Sequence, residues 1–183
     1  MGSRSLAPPV QGHTRICLLG NHEDVLLRFL EEPSILREWG NFGGYATLAS
    51  YGIGIPESMT PQALADLRDR FKQHFPAQHA AFLKQLRLSY RAGDYLFVHA
   101  GVLPKLPLAE QSRDDLLWIR QPFLQHEGFF EQYVVHGHSP VAVPDIRVQR
   151  ANLDVSAAAV PSLCCLVIED TQRRILLVTD EKS

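Results

Sequence analysis

Three apolar runs in this chain each end in a glycine-flanked polar side chain of a metal-ligand type. That recurrence restricts the fold more than any other feature. The segments are CLLGNHE (17–23), LFVHAG (96–101) and VVHGHSP (134–140). Short apolar runs bounded by turn residues read as buried strands. In an open α/β sheet, ligands bind beyond the carboxyl ends of the strands, where loops converge on a rigid frame. Glycine beside each candidate lets the backbone turn sharply and lets an ion or phosphate approach. Imidazole nitrogens and an amide oxygen suit borderline divalent metals such as manganese, iron, zinc or nickel. Taken singly, each has a structural explanation: Asn-His after a strand is commonly a turn, and a strand-end histidine is commonly hydrogen-bonded scaffold. Three together in 183 residues favour a metal centre. No Cys-x-x-Cys or His-x-x-x-His spacing supports a zinc finger.

The rest of the chain reads as helices early and strands late. Residues 1–14 read as a loose tail, and 15–183 as one domain. Arg15 to Leu19 reads as a short buried strand closed by Gly20-Asn21. A helical stripe follows (Val25, Leu26, Leu27, Phe29, Leu30) behind an acidic first turn, and Pro33 stops it. The glycine-rich stretch around residues 40–56 must contain loops. Thr60-Pro61 is a capped helix start, and Pro76 opens a further helix. Residues 88–99 read as a hairpin, Asp114 to Ile119 as a short helix or turn, and Tyr133 to His136 as a strand. Two or three more strands follow from Ile146. The mixture predicts an α/β layered domain.

Composition narrows the partners. Eighteen Lys and Arg against twenty Asp and Glu give a net charge of −2, which advertises no nucleic-acid backbone binder. No apolar run is long enough to span a bilayer, and the first residues lack the apolar core of a signal peptide. Three cysteines, Cys164 and Cys165 adjacent, fit a reducing compartment better than a disulfide framework. The expectation is a cytoplasmic protein without membrane or nucleic-acid partners.

GNHE, FVHAG and HGHSP, in that order and with LLWIR (116–120) between the last two, resemble the second half of the metallophosphoesterases of the phosphoprotein phosphatase type. The likeness is greatest to the bacterial serine/threonine phosphatase and diadenosine-tetraphosphatase branch. It implies a calcineurin-like layered sandwich of two mixed sheets with flanking helices. It also implies two divalent metal ions in the complete site, manganese foremost. Position by position, Asn21, His99 and His138 match ligands of the second metal. His22 matches the general acid toward the leaving oxygen, and Arg120 a phosphate-binding arginine. Pro140 stands where the wider superfamily often has a second histidine ligand, which leaves His136 a supporting or structural residue. Asp154, in NLDVS where relatives often have Asp-Thr-Gly, is expected to be structural.

The resemblance also implies aspartate-containing motifs upstream of Gly20, and the 19 residues before it contain no Asp or Glu. An N-terminally incomplete fold is therefore expected, with weak turnover by the chain alone. Three functions follow: hydrolysis of phosphoserine or phosphothreonine in proteins, the first choice; hydrolysis of dinucleoside polyphosphates or another small phosphoester; or a non-catalytic remnant that binds a metal or a partner.

Overall fold

The computed structural model describes residues 11–179. The chain forms two compact units, one up to Arg87 and one from Leu88. Of the expected N-terminal tail, residues 1–10 lie outside the described residues, and 11–12 form a turn. No helix among the described residues is long and apolar enough to cross a membrane.

The first unit is helical: α1 (Asn21–Glu31), α2 (Leu36–Trp39), α3 (Gly44–Ser50), α4 (Pro61–His74) and α5 (Ala77–Lys84), with short 3-10 turns between. The Glu23 carboxylate reaches back to accept from the Gly20 N–H at 3.1 Å, one half of a capping box, and so fixes where α1 begins. Thr60 caps α4 as its sequence predicts, its hydroxyl accepting from the Ala63 N–H at 3.3 Å. Leu64, Leu67 and Phe71 then recur at helical spacing and are buried. They pack with Phe29, Leu36, Trp39 and Leu48, all 0–1% exposed. The ring centroid of Phe29 lies 5.4 Å from that of Trp39 and 6.0 Å from that of Phe71.

One expectation fails in this unit. Arg15 to Leu19 is not a strand. It makes one parallel bridge, Leu18 to Arg87, with hydrogen bonds from Leu19 N–H to Arg87 C=O (2.8 Å) and Arg87 N–H to Cys17 C=O (3.0 Å). A single bridging partner cannot propagate a ladder. The glycine-rich stretch holds helix α3 and a 3-10 turn as well as loop. Two of its glycines serve close packing: a Cβ on Gly40 would lie 2.3 Å from the Tyr45 ring, and one on Gly44 2.7 Å from the Trp39 ring.

The second unit is built on a mixed five-stranded sheet in the order β1-β2-β3-β5-β4. Its strands are β1 (Ser89–Ala92), β2 (Tyr95–Val98), β3 (Tyr133–His136), β4 (Asp145–Ile146) and β5 (Arg150–Asn152). Antiparallel β1 and β2 turn through Gly93-Asp94, with Gly93 at φ +55°. The strands β2, β3 and β5 are parallel neighbours, so their carboxyl ends lie at one edge. Helices α6 (Arg113–Trp118) and α7 (Gln121–Leu124) connect β2 to β3. Leu96, Val98 and Val134 point to one face and form a core with Leu116, Ile119 and Phe123. The opposite face carries Tyr95, Phe97 and Tyr133, over whose ring the Arg173 guanidinium sits at 4.2 Å. Arg173 belongs to an antiparallel ribbon of β6 (Ser162–Glu169) and β7 (Gln172–Thr179). The expected second mixed sheet is therefore, among the described residues, this two-stranded hairpin.

Gly101, which closes FVHAG, is required by packing. Its φ is +157°, and a Cβ there would lie 2.4 Å from Cδ1 of Phe123, a ring with no exposure. Gly101→Ala should destabilise the fold by roughly 1–3 kcal/mol, the usual penalty of overpacking. Gly54→Ala, with nothing within 4 Å, should be near neutral. Urea unfolding of the two variants checks this, and equal midpoints would contradict it.

Candidate functional site

The carboxyl ends of β2, β3 and β5 deliver His99, His138 and Asn152 to one edge of the sheet. His99 directly follows β2. His138 lies two residues beyond β3, in a loop hydrogen-bonded to both neighbouring strand ends. The Gly137 N–H donates to the His99 carbonyl (2.9 Å) and the Leu153 N–H to the His136 carbonyl (2.9 Å). The Val141 N–H donates to the Asp154 carbonyl (2.8 Å).

His138 has φ +64°, and the Ser139 N–H donates to the Gly137 carbonyl at 2.7 Å across it. That pairing is a γ-turn with positive φ at its centre, a rare and strained arrangement for a residue with a Cβ. Such strain costs of order 1–3 kcal/mol and concentrates where a side chain must be aimed. Here it turns the His138 ring onto His99. His99 Nε2 and His138 Nδ1 are 3.2 Å apart, and the ring centroids 5.0 Å. The Trp118 indole stands edge-on to His138 at 6.0 Å.

The neighbourhood keeps His138 uncharged. Burial, the Arg120 guanidinium and the facing His99 together lower its pKa to about 4. Arg120 is exposed at the start of α7, where its carbonyl accepts from the Phe123 and Leu124 N–H groups. Asp154 caps a 3-10 turn, its Oδ1 accepting from the Ser156 N–H at 3.2 Å. In the first unit, Asn21 is buried at the start of α1, and His22 is exposed with its ring edge-on to Phe42 at 5.7 Å.

His136 points elsewhere than His138. The strand ends at His136, so the two do not share one strand face as an unbroken strand would require. Its ring is buried against Phe123 (4.8 Å between centroids). Arg150 Nη1 lies 3.4 Å from its Nε2, and its Nδ1 lies 3.0 Å from the Gly137 carbonyl. Because a guanidinium can only donate, Nε2 accepts and Nδ1–H donates. Arg150, itself 5% exposed, is paired with Asp145 at 3.0 Å. The sequence singled out neither Arg150 nor Asn152, because an arginine and an asparagine in a short strand carry no spacing signal.

A divalent ion, which the sequence resemblance implies, is partly matched by this arrangement. Two nitrogens each about 2.0–2.1 Å from one tetrahedral ion stand about 3.3 Å apart. The 3.2 Å between His99 and His138 is that spacing. The pair therefore fits as two neutral ligands. It does not complete a centre, since among the described residues no three His, Cys, Asp or Glu side chains gather where an ion could be held.

The buried imidazoles set a pH dependence. Burial above all lowers His136 to about 4, so on acidification the unfolded chain takes up its proton first. Stability is then full above the ordinary histidine value of about 6.5 and falls between about 6.5 and 4. The slope is at most about 1.4 kcal/mol per pH unit for each such group. Urea unfolding at pH 7, 6 and 5 should show the wild type losing stability more steeply than His136→Gln. Equal slopes would mean that His136 titrates normally. Ser139→Ala should cost little, because the buried Ser139 hydroxyl has no hydrogen-bond partner to lose.

No protein-family model matches the chain, and no curated protein matches it in sequence. Its fold is nevertheless known. A crystal structure described as that of a "putative diadenosine tetraphosphatase" matches 92% of this chain and 69% of its own, with a TM-score of 0.58 and 18% identity. At that identity the likeness establishes the α/β fold.

Proposed function

We propose that this chain serves a phosphoester hydrolase acting on dinucleoside polyphosphates. The carrying observation is the His99–His138 pair, set at ligand spacing on the carboxyl ends of parallel strands with Arg120 beside it. The fold likeness to a diadenosine tetraphosphatase favours that substrate over a phosphoprotein. A divalent ion, manganese foremost with iron, zinc or nickel as alternatives, would be held by His99 Nε2 and His138 Nδ1. Asn21 is assigned as a further ligand by sequence resemblance. When bound, the metal supplies charge stabilisation at the phosphoryl oxygens and a water acidic enough to attack at neutral pH. Arg120 presents a planar fork to two phosphoryl oxygens and fixes their orientation. His22 donates a proton to the departing oxygen.

The substrate decides how much that proton matters. A departing phosphate oxygen has a conjugate acid of pKa near 6 and leaves nearly unaided, whereas a serine alkoxide must be protonated. His22→Ala should therefore cost phosphoserine cleavage roughly 10²–10⁴-fold and polyphosphate cleavage far less. It should leave metal binding intact. His99→Ala should lower metal affinity and rate together. Equal penalties on both substrates, or an emptied metal site in His22→Ala, would remove the general-acid role.

The reading itself is tested with purified protein, manganese, diadenosine tetraphosphate and a phosphoserine peptide, with binding and product release followed separately. Tighter binding and faster turnover of the dinucleotide, both weakened by Arg120→Ala, are expected, even where turnover is slow. Preference for the peptide would move the function to protein phosphatase. Binding neither substrate would reject hydrolysis for this chain and leave the non-catalytic role.

A further inference from the structure

We infer that Asn152 is the positioning residue of His138: its buried carboxamide clamps the strained loop so that the imidazole faces His99. The His138 ring meets His99 through its Nδ1 and also engages the Trp118 backbone. Both contacts need the ring brought to them, and the strained backbone at His138 does so.

The backbone on each side of His138 is held by a buried side chain. Before it, the Gly137 carbonyl accepts from His136 Nδ1–H (3.0 Å). After it, the Ser139 carbonyl accepts from Asn152 Nδ2 at 2.7 Å. Asn152 is 1% exposed, and its Oδ1 accepts from the Asp154 N–H at 3.0 Å. One carboxamide therefore ties the end of β5 to the loop after β3. A hydrocarbon of similar size could fill the space, but could not donate to Ser139 while accepting from Asp154. His136 sets the entry to the turn and Asn152 its exit, and the positive φ of His138 lies between them.

This inference depends on the proposed hydrolase only for why the pair matters. Its test is made on the metal-free protein without substrate, so the clamp and the hydrolase reading can fail separately. The readout is the nuclear Overhauser contact between the His99 and His138 ring protons. The ring centroids are 5.0 Å apart, and the signal falls with the sixth power of proton separation. Asn152→Ala should lose that contact while keeping a folded spectrum. Ser139→Ala, which leaves the Ser139 carbonyl in place, should retain it. A folded Asn152→Ala with the contact intact would overturn the inference. Should Asn152→Ala not fold, Asn152→Asp decides in the same way between pH 7 and 9. It keeps the acceptor for Asp154 and replaces only the donor facing Ser139. If neither variant folds, Asn152 serves the whole fold and not His138, and the inference is overturned.

Discussion

The hydrogen bond from the Gly137 N–H to the His99 carbonyl, 2.9 Å long, carries the β2–β3 pairing past the end of both strands. The site in the second unit depends on it. Parallel register alone brings two strand ends to one edge, but it does not fix the loops that follow them. With Gly137 tied to His99 on one side and Leu153 tied to His136 on the other, the loop between them has little freedom. Its remaining residue adopts a left-handed turn that a histidine would otherwise avoid. The strain is stored because the surrounding sheet determines the conformation more strongly than the residue's own preference opposes it.

The charge buried behind that loop serves the same end. Arg150 sits almost wholly out of water, paired with Asp145 and reaching both His136 and the Leu124 carbonyl (3.3 Å). Buried ion pairs are weak sources of net stability, because desolvation offsets their attraction. This one fixes a tautomer. With Nε2 of His136 occupied as an acceptor, the proton sits on Nδ1 and meets the Gly137 carbonyl. A histidine two residues from the candidate ligand thus contributes direction to the loop and is withdrawn from ligation.

Much of this was legible in the sequence, and the failures have physical causes. The capped start at Thr60-Pro61, the hairpin at Gly93-Asp94 and the two strand ends carrying His99 and His138 follow from local chemistry, and each forms as local chemistry dictates. Arg15 to Leu19 has the apolar pattern of a strand, but a strand also needs partners, which no local pattern reveals. The glycines of 40–44 signalled loops, which the stretch contains, but two of them also sit where aromatic rings press against the backbone, a tertiary fact. An unbroken strand would place His136 and His138 on one face, and the turn at Gly137 separates them. Asn152 was invisible as a functional residue, because its meaning lies in which carbonyl its amide meets.

The electrostatics of the paired imidazoles favour polarising power over affinity. Both rings are neutral ligand types, and Asp154, the carboxylate whose charge acts on His138, is engaged with a backbone N–H of its own turn. An ion held by neutral donors keeps its full double charge, whereas each carboxylate ligand would cancel part of it. Such an ion binds less tightly but draws more strongly on phosphoryl oxygens. The Arg120 guanidinium adds positive charge to the same neighbourhood and helps keep His138 unprotonated. On the proposed reading, a dinucleoside polyphosphate, with several charged phosphates in line, would bring more negative charge to this setting than a single phosphoserine.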